Sequence, residues 1–266
     1  MNAELITIRA SSLPELFDCP ARWESKFVKG MRMPRSGAAQ LGTAVHAGTA
    51  IFDRSRLEGN PVTADEAAGA VVDAVHKPES DVDWGEDSPN DVEAIGIALH
   101  KRYCQEIAPK QHYVAVEATC DRLEISDIGI ALTGTTDRVF VSDDGYGIAD
   151  IKTGKSAVAT DGTVKTAGHA AQIAVYELLA GAALGRVIEA PAQIIGLQVA
   201  KTAKGQRAGI GKIGGARELL VGDDETPGLL QIASDMLHAG RFFGNPRSQL
   251  CNPKFCPAYS ICRWRK

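Results

Sequence analysis

The hydrophobic pattern divides the chain into two textures. Up to about residue 110, apolar positions recur at helical spacing. "SSLPELFDCPARWESKFV" (11–28) predicts a short helix, capped by Ser11 or Ser12, with Pro14 in its first turn. "AAQLGTAVHAGTAIFDRSRLEG" (38–59) has helical composition and puts His46 near its middle. Thr63 is placed to cap a helix over 64–77, and Glu66 to close a capping box. Residues 91–108 predict another helix, while 31–39 and 78–91 read as loops.

From His112 the period becomes two. Residues 112–125, 128–142 and 146–154 predict three strands joined by tight turns, the second turn being "SDDG". Residues 166–184 predict a strong helix and 190–202 a fourth strand. The Gly- and Lys/Arg-rich segment 203–218 reads as a loop or hairpin, and 224–243 as a final helix before a Pro-rich cysteine tail. This order predicts an α/β fold: a central mixed β-sheet, made of an antiparallel meander plus an added strand, flanked by helices on both faces.

Composition narrows the class only a little. The chain has 266 residues, 44% hydrophobic and 23% charged, with a net charge of −4. That is ordinary for a globular protein able to bury a core without staples. There is no global basic footprint, although a local groove can be basic on an acidic protein. The opening residues lack a basic-then-apolar leader, and no apolar run approaches the roughly 18 residues of a membrane span. A cytoplasmic protein without membrane contact is expected.

Candidate chemistry lies in "GTTDRVFVSDDGYGIADIKTGK" (134–155). With Val139 and Val141 facing the core, Asp137 shares their side of the strand by period two, and Asp150 and Lys152 share one face of theirs. A meander can bring the two acids together beside the lysine. Such strand-end charges are either solvated, as most are, or a site for a hard cation such as Mg²⁺ or Mn²⁺. In the second case the chemistry is metal-assisted phosphodiester hydrolysis.

The same stretch resembles the RecB-like branch of the PD-(D/E)XK nuclease superfamily, with its Gly-x-x-Asp-Arg segment followed by Asp-x-Lys-Thr-Gly. "GTAVH" upstream and "QIAVY" downstream resemble two further motifs of that branch, in the same order. The resemblance implies a restriction-endonuclease-like core. It implies that His46, Asp137, Asp150 and the carbonyl of Ile151 are metal ligands, and that Lys152 is the catalytic lysine. It implies that Gln172 and Tyr176 support the site and the nucleic acid, and it places Glu117 as a supporting strand acid. Residues 60–92 match no motif of it.

Six cysteines are present, three of them in the C-terminal C-x4-C-x5-C of Cys251, Cys256 and Cys262. A fourth ligand is needed for a four-thiolate site, and Cys19 near the other end of the chain is the candidate. Cys104 and Cys120 read as buried free thiols. Four thiolates suit Zn²⁺ or an iron–sulfur cluster. One distant cysteine with three at the C-terminus resembles the iron–sulfur nucleases of the same branch, including CRISPR-associated and phage exonucleases. That implies a [4Fe-4S] cluster, with structural Zn²⁺ as the alternative. Their first spacing is often two residues rather than the four found here.

Two basic segments are candidates to track a phosphate backbone: Lys204, Arg207, Lys212 and Arg217, and the group Arg22, Lys26, Lys29, Arg32 and Arg35. The resulting expectation is one nuclease domain over 1–266. It comprises a helical N-terminal part (about 11–110), a catalytic core (about 111–200) and a C-terminal helix and cysteine tail (about 223–266) closed onto Cys19. The resemblance implies a metal-dependent DNA exonuclease acting on single-stranded ends in recombination, repair, phage DNA processing or CRISPR adaptation. With no G-x-x-x-x-G-K-[ST] loop in the chain, unwinding would fall to a helicase, recombinase or CRISPR integrase partner. The alternative is a catalytically silent DNA-binding or assembly subunit.

Overall fold

The computed structural model describes residues 5–265. Residues 1–4, on which the expectation of no leader partly rests, and Lys266 lie outside it. The centre is a six-stranded mixed sheet. Its meander is β4 (Tyr113–Ile125), β5 (Ile130–Ser142) and β6 (Gly145–Gly154), all antiparallel. β7 (Ala192–Gln198) adds parallel to β6, and β8 (Arg207–Ile213) adds antiparallel to β7. β1 (Ile6–Arg9), which periodicity did not predict, runs parallel to β5.

Two layers of helices cover the sheet. On one face α3 (Gly37–Leu57), α4 (Ala64–His76) and α5 (Pro89–Glu106) close over Phe140, Ala149, Ile151 and Ile195. On the other, α6 (Ala170–Leu184), α7 (Ala216–Val221) and α8 (Leu229–His238), together with α1 (Leu13–Asp18) and α2 (Pro20–Phe27), close over Leu132, Val139, Ile148 and Ile194.

Local sequence explains most of the elements. Thr63 and Ser88 each close a capping box at the starts of α4 and α5. The 11–28 helix is instead two helices. Cys19 precedes Pro20, which disfavours helical backbone at the residue before it, and Cys19 is extended (φ −151°, ψ 90°). Ser12 caps nothing with its side chain; it is buried and donates to the Arg9 carbonyl at 2.9 Å. Segment 203–218 holds a full strand, β8, and then α7. The two predicted loops carry a minimal parallel pair, β2 (Arg35–Ser36) and β3 (Val82–Asp83). Cys104 is buried as expected, its thiol pushed up to about 12 chiefly by burial, whereas Cys120 is only half-buried. No described helix is long and apolar enough to cross a membrane.

The pairing around β5 positions the site. β4 takes one edge of β5 from Ile130 to Phe140. The opposite edge is shared: β1 pairs with Ile130–Thr133, and β6 with Arg138–Ser142. Between them, residues 134–137 face a fork. β6 leaves β5 after Ala149 and continues along β7 to Gly154. Its next residues, Asp150, Ile151 and Lys152, therefore line the same fork.

Candidate active site

Asp137 and Asp150 come together at this fork. Val139 and Ile148 face the α6 layer, so Asp137 and Asp150 share that side by the strand period. Val141, expected to face the core with them, is 37% exposed near the turn. Gly134 opens the segment because a Cβ there would lie 3.1 to 3.3 Å from Leu179, Ala10 and Tyr176.

Two sets of contacts, adjoining through the backbone of residues 150–152, join the predicted residues other than Glu117. Asp137 Oδ2 accepts from the Ile151 backbone N–H at 2.8 Å. His46, from the middle of α3, places Nδ1 3.3 Å from Asp137 Oδ1 and Nε2 2.9 Å from the Ile151 carbonyl oxygen. Lys152 Nζ lies 2.7 Å from Asp150 Oδ2 and donates to Gln172 Oε1 at 3.1 Å. Gln172 Nε2 donates to the Tyr176 hydroxyl at 2.9 Å, one helical turn along α6. Asp150 Oδ2 is buried and lacks a well-directed donor, so its contact with Lys152 is an ion pair off the lone-pair directions.

The electrostatics separate the two acids. Burial pushes Asp150 up, the Asp137 charge adds to this, and Lys152 only partly offsets it, leaving Asp150 at about 6. Burial acts the same way on Asp137, but His46, Lys152 and the Ile151 N–H together hold it well below the usual carboxylate range. Burial lowers His46, yet Asp137 and Asp150 more than reverse it, so its pKa is raised. Both His46 ring nitrogens face oxygen acceptors, an arrangement that the doubly protonated ring satisfies.

Two carboxylates, an imidazole and a peptide carbonyl form a donor set that a hard divalent cation accepts. The buried Asp150 oxygen without a directed donor fits such a charge. The side chains meet mainly through hydrogen bonds with one another. Among the described residues, no three His, Cys, Asp or Glu side chains surround a common point as assembled ligands do.

Glu117 stands apart. It lies between the pairs Val116↔Arg138 and Ala118↔Thr136, thus across from Asp137. Its side chain turns to Arg54 at 2.5 Å and is 43% exposed. Its φ of +52° is the one positive value among the described non-glycine residues. Such backbone is strained for a residue with a Cβ.

A supporting pair was missed in the sequence. Arg138 Nε donates to Asp53 Oδ2 at 2.7 Å, with both side chains essentially unexposed. Tyr103 donates to the same oxygen at 2.5 Å, and Arg138 Nη1 reaches the Asp137 carbonyl oxygen at 2.8 Å. Asp53 is two turns beyond His46 on α3, so the pair ties the helix carrying His46 to the strand carrying Asp137. The signal available was that seven-residue spacing together with the arginine following Asp137.

The four predicted cysteines also converge. Cys19, Cys251, Cys256 and Cys262 line one cavity of about 770 Å³ between α2 and the C-terminal tail. The tail is held there by Asn245 Nδ2 donating to the Asp18 carbonyl at 3.0 Å, and by Arg22 Nε donating to that of Phe255 at 2.9 Å. Burial raises the Cys256 thiol, and the nearby sulfurs of Cys19 and Cys262 add to this. All four are free thiols.

Several candidate phosphate contacts are committed elsewhere. Arg22 and Lys26 pair with Glu15 at 2.8 and 2.7 Å, and Lys29 with Glu24 at 3.0 Å. Arg207 donates to the Val158 carbonyl at 3.1 Å. These four hold the fold as much as they present charge.

No curated protein matches the chain. A family model does, over residues 8–263, and it spans both α3 and the fork as well as the cysteine tail. The chain belongs to the PD-(D/E)XK nuclease superfamily.

Proposed function

We propose that the protein is a metal-dependent nuclease that hydrolyses DNA from single-stranded ends. The observation that carries this reading is the pair of contact chains, His46–Asp137–Ile151 and Asp150–Lys152–Gln172–Tyr176, set beside each other at the β5/β6 fork by the adjacent residues Asp150, Ile151 and Lys152. Two like-charged carboxylates held side by side in a buried site, one of them with its pKa raised by burial and by the other, are the arrangement a divalent cation would relieve.

His46, Asp137, Asp150 and the Ile151 carbonyl would hold Mg²⁺ or Mn²⁺. When bound, the cation would polarise a phosphoryl oxygen and acidify water. Lys152 orients the attacking water and offsets charge building on the phosphate. Gln172 fixes the Lys152 ammonium through its carbonyl oxygen, and Tyr176 fixes Gln172. Glu117 supports the Asp137 strand from across the ladder.

The four thiols that line the cavity would suit a [4Fe-4S] cluster, with one structural Zn²⁺ as the alternative. Either group would hold the C-terminal tail against α2, within a single nuclease domain. A role in recombination, repair, phage DNA processing or CRISPR adaptation suits such an enzyme, with strand separation supplied by a partner.

The test is cleavage of single-stranded DNA labelled at either end, with Mg²⁺ or Mn²⁺, beside Lys152→Ala. Loss of label that depends on the cation, and falls at least ~10²-fold in the variant, is expected from removing a charge-stabilising donor. Equal turnover by Lys152→Ala rejects the assignment. No cleavage by the folded wild-type protein favours a DNA-binding subunit.

A further inference from the structure

A second cavity, of about 240 Å³, opens directly beside Lys152. Lys152, Thr153, Ser156, Lys165, His169 and Gly196 are among its walls. It is built by residues 155–168, which connect the catalytic lysine to α6. Ala159 N–H donates to the Thr163 carbonyl at 2.8 Å and Lys165 N–H to that of Ala157 at 3.0 Å, closing a small hairpin.

The hairpin lies flat on the sheet because the strands beneath it have glycines there. Gly196 and Gly209 are partners across β7 and β8. A Cβ on Gly196 would come within 2.9 Å of Val158, and one on Gly209 within 2.8 Å of Val164. Gln198 accepts from the Val158 N–H at 3.0 Å, and Arg207 donates to the Val158 carbonyl. Val158 and Val164 are buried anchors, while the next residue, Lys165, is exposed.

Two lysines, Lys152 and Lys165, thus share one small cavity with His169 and the Ser156 side chain. Packing alone does not call for this, since like charges repel. Burial first, then Lys152 and Lys165, hold His169 at about 4, so its ring is a neutral hydrogen-bonding group near neutral pH. Lysines with hydroxyl and N–H donors are a natural complement to phosphate oxygens.

We propose that this cavity is a phosphate subsite, taking a phosphate of the substrate strand next to the one attacked beside Lys152, with Lys165 as its main cation. The proposal deepens the nuclease reading and rests on it for the identity of the strand. A terminal phosphate and an internal one share this chemistry.

Binding without divalent cation separates the proposal from catalysis. Fluorescence anisotropy is measured in EDTA with single-stranded oligonucleotides carrying a 5′-phosphate, a 3′-phosphate or neither. The proteins are wild type, Lys165→Ala and Lys165→Arg. A terminal phosphate in the cavity makes one phosphorylated oligonucleotide bind about tenfold tighter, an advantage lost in Lys165→Ala and kept in Lys165→Arg. An internal phosphate gives equal binding of all three, with the salt slope in Lys165→Ala shallower by about 0.7. Unchanged affinity, salt slope and end preference in Lys165→Ala overturn the proposal, as does failure to bind any oligonucleotide. Failure to cleave with Mg²⁺ or Mn²⁺ would count against the nuclease reading alone.

Discussion

The fork and the cysteine cavity are assembled in opposite ways. At the fork, the sheet register brings Asp137 and Asp150 together, and the polar groups nearby meet partners except for Asp150 Oδ2, which lacks a directed donor. At the cavity, residues from the two ends of the chain meet, and the sulfurs do not bond to one another. The fork is therefore held by the fold itself. At the cavity the two chain ends are joined by hydrogen bonds such as Asn245 to Asp18 and Arg22 to Phe255, and the proposed cluster would add metal–thiolate bonds to that hold. Disturbing each region should give different signatures.

The largest effect is expected behind the fork. Arg138→Met leaves the Asp53 carboxylate buried without its cation. Removing one partner of such a pair costs about 3–5 kcal/mol. Urea denaturation should show the loss, and adding Asp53→Leu should recover much of it, since a well-packed apolar pair often replaces a buried ion pair at little cost. If Arg138→Met unfolds at the wild-type midpoint, the pair does not brace α3 against β5.

Cys256→Ser should give a smaller and different loss. With the group absent, the tail loses its anchor while the sheet keeps its register. Tm should fall by roughly 4–6 °C, corresponding to about 2–3 kcal/mol in a chain of this size. Protease should then cut the tail before the core. Iron and sulfide content of anaerobically purified wild type and variant tests the cause. An iron-loaded wild type with the same Tm as an iron-free Cys256→Ser would rule out the cluster as the anchor.

How much of each region could be read beforehand follows the same division. The face shared by Asp150 and Lys152, and that shared by Gln172 and Tyr176, followed from a period of two and an i, i+4 step, whereas bringing them together with His46 on α3 came from the family resemblance. Arg138 and Asp53 were not assigned, because their pairing depends on how α3 crosses the sheet. The cysteines were legible as a set, yet the extended Cys19 between two helices was missed despite the following Pro20. β8 was read as a loop or hairpin because "RAGIGKI" is rich in glycine, a poor strand residue. Those glycines are there because the 155–168 hairpin lies against them. β1 has only four residues, too few for alternation to be distinctive.

The smallest predicted change addresses the one strained residue of the fork. Glu117 holds φ +52° opposite Asp137. Glycine adopts that backbone freely, so Glu117→Gly removes a cost of about 1–2 kcal/mol. It also loses the exposed Arg54 pair, worth about 0–1 kcal/mol. The net expectation is stability unchanged or raised by up to about 2 kcal/mol. A local structural acid predicts that activity is then kept as well. An acid that supports the Asp137 strand during catalysis predicts lower cleavage from a protein at least as stable as wild type. Thermal unfolding and end-label release on the same preparation decide between these, and a clear loss of stability would show that the positive φ is not what makes this position costly.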